Sequence, residues 1–230
     1  MRILTALAAM GMVALPLAAQ QPKAGKPDTM KMKMGDHMAD PDKAVQGGGT
    51  LPTGWSARAD RAAALTNAKV VPMGNGMHVT LGPAIILYRA ADMASGPFHT
   101  LATFTQTKAP MHPEAYGLFI GGKNLDAATQ QYTYFLVRGD GKYLIKRRNG
   151  DSTSVIKDWT DGPSVAKADS AGKATNMLEI DNKSDPSALK FKVNGQEVYS
   201  MPAGADAKGI VGLRVNHNLD VHVAGFALHQ

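Results

Sequence analysis

The residues of this chain that could carry out acid–base or metal chemistry are few and scattered. The 230 residues include seven histidines and no cysteine. His217 and His222 lie five positions apart, with Asp220 between them, so a turn could bring these side chains together. Zinc sites normally need three or more protein ligands, so two histidines alone do not predict one. Asp220 and His222 are candidates for general acid–base chemistry, and we assign no catalytic residue.

Several other chemistries are excluded by what the sequence lacks. Without cysteine there are no disulfides, no thiolate metal sites and no thiol nucleophile. There is no Gly-x-Ser-x-Gly nucleophile elbow and no phosphate-binding loop. The formal charge of +6 is a mild excess, and no nucleic-acid-binding motif accompanies it. The sequence therefore predicts no nucleic-acid partner, and the excess favours solubility or contact with an anionic polymer or membrane surface.

A cluster of methionines near the N-terminus could bind a soft metal ion. Met30, Met32 and Met34 alternate with lysines, and His37 and Met38 follow. Thioethers and imidazole suit Cu(I), so the cluster is a candidate copper site. The alternative is a solvated linker, because the interleaved lysines would repel a cation.

The N-terminal segment of the chain predicts export. Arg2 precedes an apolar run over residues 3–14, Pro16 breaks it, and small residues lead to a cleavage point after Ala19. This run is too short to span a bilayer. We predict a signal peptide at 1–19, a disordered Lys/Met/Gly-rich linker at 20–50 and a domain at 51–230. The protein would be periplasmic or secreted, with no membrane span in the mature chain.

The domain consists of short β-rich runs separated by Gly, Pro, Asn and Asp, which predicts an all-β sandwich. A helix is expected only around Ser56–Leu65. The predicted strands are Lys69–Met73, Met77–Leu81, Ala84–Arg89, His99–Thr107, Tyr116–Gly121, Tyr132–Arg138, Lys142–Arg148, Ser154–Trp159, Asn176–Asp181, Leu189–Val193, Gln196–Ser200, Ile210–Asn216 and Val221–Leu228.

Two hairpins can be assigned from their turns. Asn194-Gly195 tolerates positive φ at both central positions and predicts a two-residue turn. Around Gly139-Asp140-Gly141, a three-residue loop pairs Arg138 with Lys142, whereas a two-residue loop would mix the two faces. The three-residue loop gives one apolar face, made of Phe135, Val137, Tyr143 and Ile145.

The opposite faces of these strands are candidate ligand surfaces. One carries Tyr134, Arg138 and Lys142. Alternation in the last two strands turns the valines inward and predicts a second outward set. That second set comprises Arg214, Asn216 and His217, with Asp220 and His222 expected on the same face.

The closing strands resemble a known family. The run from Gly209 to Arg214, with His217, Val221 and Gly225-Phe226, resembles concanavalin A-like, laminin-G-like jelly rolls. It is similar in particular to the bacterial exported family described as 3-keto-disaccharide hydrolase-like. Gly117-Leu118-Phe119-Ile120 and Asn194-Gly195 fit that family's middle strands and hairpin, and the resemblance covers roughly 54–228. It implies a two-sheet antiparallel jelly-roll sandwich whose concave face meets a glycan. Arg214 stands where the family usually has Gln, and Gly121 where an Arg is common.

The resemblance does not bring a catalytic motif with it. Laminarinase-type enzymes, which share this fold, carry Glu-x-Asp-x-x-Glu, placing two carboxylates across the glycosidic bond. Here Glu179-Ile180-Asp181 matches the first half, but Ser184 stands at the second Glu. We therefore expect a domain that binds a carbohydrate or another envelope or extracellular polymer without catalysis. A glycan-acting hydrolase or lyase is the alternative, and copper binding by the linker is third. No cofactor is assigned, and calcium in an Asp/Asn-rich loop is left open.

Overall fold

Strands make up nearly all the regular structure of the computed structural model, which describes residues 45–60 and 64–230. Two single turns of 3-10 helix, Ala64–Asn67 and Gly204–Ala207, are the other regular segments within those ranges. No helix among the described residues is long and apolar enough to cross a membrane. The strands are β1 (Gly48–Gly49), β2 (Ser56–Ala59), β3 (Ala68–Met73), β4 (Gly76–Leu81), β5 (Ile85–Ala94), β6 (His99–Gln106), β7 (Ala115–Lys123), β8 (Gln131–Arg138), β9 (Lys142–Asn149), β10 (Ser152–Asp161), β11 (Ala174–Asp181), β12 (Ala188–Val193), β13 (Gln196–Pro202), β14 (Gly209–Val215) and β15 (Asp220–His229).

The strands form two sheets. An eight-stranded sheet has the order β1-β3-β4-β15-β6-β11-β12-β13, and a seven-stranded sheet has the order β10-β9-β8-β7-β14-β5-β2. The pairings are antiparallel except for β1 with β3, which is parallel. The chain passes between sheets at several connections, including the one from β14 to β15, so sequence neighbours can belong to different layers.

The two sheets share one apolar interior. Period-two alternation turns one face of each strand inward. Phe104 of the eight-stranded sheet stacks on Tyr116 of the other at 5.4 Å, and Phe191 meets Phe135 edge-on at the same centroid separation. All four rings are fully buried, and each contributes about 1.5–3 kcal/mol through the hydrophobic effect. This burial confirms the predicted all-β jelly-roll sandwich.

Both predicted hairpins are confirmed. Asn194 and Gly195 have φ of 51° and 81°, and Val193 pairs with Gln196 across them. Arg138 pairs with Lys142, as the three-residue loop requires. The predicted apolar face, including Phe135 and Tyr143, lies in the core.

The helix expected around Ser56–Leu65 is wrong at its first residues. Ser56–Ala59 forms edge strand β2, paired with β5. Ala59 is buried and Ala57 packs against the core, so the small residues alternate inward as a strand requires. The two-residue strand β1 lies before Leu51 and pairs with β3.

The outer face of the seven-stranded sheet carries a second apolar cluster. Phe119 and Leu125 lie in it, and Leu125 belongs to the connection between β7 and β8. Gly212 of β14 makes room for Phe119, because a Cβ at this position would lie 2.6 Å from the phenyl ring. The hydrogen bond from Arg58 Nη1 to the Leu125 carbonyl oxygen, at 3.3 Å, holds the connection over the sheet.

Candidate ligand-binding face

The polar and aromatic side chains on the outer side of the seven-stranded sheet form the strongest candidate site. We call this surface the basic face. Alternation in β8 and β9 turns one set of side chains away from the core, and β14 adds Arg214. Its central members are Tyr132, Tyr134, Arg138, Lys142, Lys146, Arg148 and Arg214, together with Asp60 at the end of β2.

A buried ion-pair cluster lies within this face. Arg214 donates hydrogen bonds to both Asp60 carboxylate oxygens, at 3.0 and 2.8 Å, and to the Tyr132 hydroxyl at 2.9 Å. Arg148 Nη1 lies 3.2 Å from the same carboxylate. The Arg214 guanidinium also lies over the Tyr134 ring, 5.0 Å from its centroid, in a cation–π contact. One carboxylate thus holds two guanidinium groups and orders two tyrosines.

The environment fixes the charges of this cluster. Burial alone would raise the pKa of Asp60, but the hydrogen bonds and charge of Arg214, together with Arg148 and His217, lower it below its ordinary value. Burial works against the charge of Arg214 as well, yet the neighbouring Tyr132 and Asp60 raise its pKa overall. Burial raises the pKa of Tyr132. At neutral pH the cluster contains two guanidinium cations, one carboxylate and protonated tyrosines.

Arg214 was predicted as a ligand contact, but its side chain is buried within the face. Only 6% of the residue is exposed, and its guanidinium donates hydrogen bonds to Asp60 and Tyr132. It holds the tyrosines in place before any ligand arrives. Such preorganisation reduces the ordering cost of binding.

A cavity of about 380 Å³ opens where the basic face meets the 3-10 turn at Gly204–Ala207. This volume falls within the range of small-molecule pockets. Gln131 Nε2 donates to Asn149 Oδ1 at 3.1 Å, and the Arg147 guanidinium pairs with Asp206. The Thr133 hydroxyl also donates to Asp206, at 3.0 Å. The polar residues that line the cavity are Lys123, Gln131, Tyr132, Arg147, Arg148, Asn149 and Asp206.

At the opposite end of the basic face, the charged side chains already contact other residues of this chain. The Arg138 guanidinium stacks on Trp159 at 4.2 Å and donates from Nε to Asp140 at 2.8 Å. Lys142 Nζ lies 3.2 Å from an Asp161 carboxylate oxygen. Tyr134, Arg138 and Lys142 do share one face, but Arg138 covers one surface of the Trp159 ring.

Asp220 and His222 do not share the face of Arg214, and that expectation is wrong. Arg214 lies on β14 of the seven-stranded sheet, whereas Asp220 and His222 lie on β15 of the eight-stranded sheet. The chain changes sheet after Asn216 and His217, so alternation does not carry across the turn. Both of these turn residues are half-buried, and Asn216 donates its backbone N–H to the Ala115 carbonyl oxygen at 2.9 Å.

The Asp220 carboxylate is surrounded by donors. His78 Nε2 lies 2.9 Å away, Thr80 donates at 3.1 Å, and the Thr107 hydroxyl and the Lys108 ammonium complete the set. Burial would raise the pKa of Asp220, but the Thr107 hydrogen bond and the charges of His78 and Lys108 lower it. A carboxylate held ionised in this way is poorly suited to act as a general acid. His222 stacks beside His78, with 6.4 Å between ring centroids.

Sequence reasoning missed Asp60 as part of the site. Asp60 lies in the stretch expected to be helical, and its partner Arg214 is 154 positions away. No local pattern marks such a pair. Arg148, in contrast, could be assigned to the outward side of β9 from the hairpin register.

The metal predictions find no support within the described residues. Residues 45–60 and 64–230 contain no group of three or more His, Cys, Asp or Glu that could hold a metal ion. Met30, Met32, Met34, His37 and Met38 lie outside the described residues, so copper binding there stays a prediction. Calcium in an Asp/Asn-rich loop is likewise left open.

Two face-to-face antiparallel sheets of this order place the domain in the class of galectin-like and concanavalin A-like jelly-roll sandwiches. Among solved structures, the chain is similar to the carbohydrate-binding module CBM66 from Bacillus subtilis, with 13% identity and a TM-score of 0.57 over 80% of this chain and 99% of that one. It is also similar to a protein of unknown function with a galectin-like fold from Bacillus subtilis, with 11% identity and a TM-score of 0.52 over 76% and 89%. At these identities the similarity shows the fold. No protein family and no curated protein matches the sequence.

Proposed function

We propose that this protein is an exported carbohydrate-binding domain whose ligand enters the cavity at the end of the basic face. The observation that carries the proposal is that polar side chains of β7, β8 and β9 line one cavity together with a fixed aromatic ring. Gln131, Asn149 and Arg148 line it beside Tyr132, whose hydroxyl accepts a hydrogen bond from Arg214. Amide groups can both donate and accept hydrogen bonds, and guanidinium groups donate them in pairs, so together they can bind vicinal sugar hydroxyls.

The shape of the site supports the same function. Carbohydrate is a small, polar ligand, and its recognition depends on a few well-placed polar groups in a preformed cleft. The Phe119–Tyr132 ring contact at 5.2 Å and the Arg148–Asp60 ion pair fix two residues that line the cleft. The solved structure of similar fold described as a carbohydrate-binding module adds support from fold analogy.

Binding is favoured over hydrolysis by the state of the carboxylates. Asp60 and Asp206 are both committed to arginines, and Asp220 lies on the other sheet among its own donors. The enzymatic alternative is based on the resemblance to the 3-keto-disaccharide hydrolase-like family. In that alternative, Asp220 and His222 would be the acid–base residues.

A glycan array probed with the full chain, followed by calorimetric titration of the strongest ligand, tests this proposal. We expect Gln131→Ala to weaken binding by about threefold to tenfold, since one lost hydrogen bond costs about 0.5–1.5 kcal/mol. Gln196→Ala is the matched control, because Gln196 is also exposed but lies on the eight-stranded sheet. Binding without release of reducing sugar supports the proposal. Absence of any glycan ligand would refute it.

The enzymatic alternative has its own readout in the same experiment. Release of sugar from a bound glycan, lost in Asp220→Ala or His222→Ala, would replace the binding function with hydrolysis. Export is tested separately by N-terminal sequencing of the protein recovered outside the cytoplasm. We expect the sequence to begin at Gln20.

A further inference from the structure

The cavity carries an excess of positive charge that its own carboxylates do not neutralise. Lys123, Arg147 and Arg148 line it, and Asp206 is the acidic residue among the described lining side chains. Arg214 donates a hydrogen bond to Tyr132, which also lines the cavity.

The pairing pattern shows where the excess comes from. Asp206 accepts from Arg147, and Asp60 is shared between Arg148 and Arg214. Lys123 is exposed and has no ion-pair partner within 45–60 and 64–230. The same holds, over these ranges, for half-buried Lys146, which lies opposite Tyr134 on the neighbouring strand.

This positive charge is permanent under physiological conditions. Guanidinium groups remain protonated throughout the physiological pH range. Arg148 and Arg214 are buried in low-dielectric surroundings, which strengthen the positive electrostatic potential in the cavity. Arg147 and Lys123 are both exposed and line the cavity, hence both can reach a ligand in it.

We propose that the glycan recognised here is acidic, a sugar carrying a carboxylate or sulfate on its ring. The anionic group pairs with the lining cations Lys123 and Arg147, and the neutral hydroxyls face Gln131 and Asn149. Guanidinium groups match planar or tetrahedral oxyanions through paired hydrogen bonds. This inference rests on the proposed carbohydrate-binding function and specifies its ligand class.

The test is an array on which each acidic glycan is printed beside its neutralised form. Uronate-containing glycans are paired with carboxyl-reduced forms, and sulfated glycans with desulfated forms. We expect the full chain to bind members of one acidic set and to lose at least tenfold in affinity on neutralisation. The arm that responds identifies the anion as carboxylate or sulfate.

A variant that removes one positive charge tests whether the preference for acidic glycans depends on the cavity. Lys123→Gln should weaken binding of the acidic glycan by about threefold to tenfold, with a smaller effect in high salt. Lys69→Gln removes the same charge from an exposed position on the eight-stranded sheet and should bind like the parent protein. Lys123 is exposed at the end of β7, so its replacement leaves the core intact.

The outcomes separate this inference from the function on which it rests. Glycans bound equally in acidic and neutral forms would overturn the acidic ligand but leave carbohydrate binding in place. Equal binding of single-stranded DNA and the acidic glycan, abolished together by salt, would also overturn it, as non-specific polyanion binding. Absence of any bound glycan would remove both proposals.

Discussion

The Arg214 guanidinium binds both carboxylate oxygens of Asp60, at 3.0 and 2.8 Å, across 154 positions of sequence. Asp60 follows the edge strand β2, and Arg214 lies on β14, near the middle of the same sheet. Arg148 reaches the same carboxylate from β9, three strands beyond β14. The carboxylate therefore ties together separate parts of the basic face and holds the tyrosines between them.

Removing the Asp60 charge should destabilise the protein strongly. Asp60→Asn leaves the guanidinium groups of Arg148 and Arg214 without a counter-ion, and each of these side chains is less than one-tenth exposed. Breaking a buried pair in this way costs about 3 kcal/mol or more. Urea unfolding followed by circular dichroism measures the loss.

The control for this variant is Asp161→Asn. Asp161 pairs with Lys142 but its side chain is 81% exposed, so the pair is screened by water. Exposed pairs contribute about 0–1 kcal/mol. Equal destabilisation by both variants would mean that the Asp60 cluster is not the structural centre of the basic face.

The stability of the domain should fall as the pH is lowered below about 5. The pKa values of Asp60 and Asp220 are lower in the folded protein than the ordinary value of 3.8. A group whose pKa is depressed by folding contributes stability above its unfolded pKa and loses it as the pH falls through the folded value. Thermal melting between pH 7 and pH 2 follows this loss.

Two variants test whether Asp60 and Asp220 cause the loss of stability at low pH. Asp60→Asn and Asp220→Asn remove the titrating groups, so each should melt lower at pH 7 and show a shallower decline in acid. A decline as steep as that of the parent protein in both variants would assign the acid sensitivity to other carboxylates.

Adding a single methyl group at Gly212 should distort the basic face. The new Cβ would lie 2.5 Å from the Leu87 carbonyl oxygen and 2.6 Å from the Phe119 ring, closer than real contacts allow. Overpacking of this kind costs about 1–3 kcal/mol. Because Phe119 contacts Tyr132 at 5.2 Å, Gly212→Ala should also weaken glycan binding.

Gly96→Ala is the comparison for Gly212→Ala. Gly96 has open space where a Cβ would be and no unusual φ. We expect this variant to unfold and bind like the parent protein. A stable, fully binding Gly212→Ala protein would show that the Phe119 position does not matter to the face.

Much of the fold follows from local sequence, because alternation and turn chemistry act over a few residues. The turn at Asn194-Gly195 and the register of Arg138 with Lys142 could be predicted for this reason. The sheet membership of β14 and β15 could not, since the same alternating pattern fits either sheet. His222 was therefore expected beside Arg214, although it lies on the opposite layer.

The candidate site was only partly predictable for a related reason. Tyr134 and Arg148 could be placed on the outward side of their hairpin from its register. Asp60 could not be connected to them, because its contacts depend on how β2 docks against the sheet. The small residues at 57 and 59 suit a helix as well as an edge strand, and tertiary pairing decided between them.

Ligand binding in the cavity is measured best by an amide chemical-shift titration of the full chain with its tightest glycan ligand. We expect the amides of Gln131, Tyr132 and Asn149 to shift with a common dissociation constant, while those of His78 and His222 stay unchanged. Shifts concentrated at His78 and His222, with Gln131 and Tyr132 unmoved, would contradict binding in the cavity.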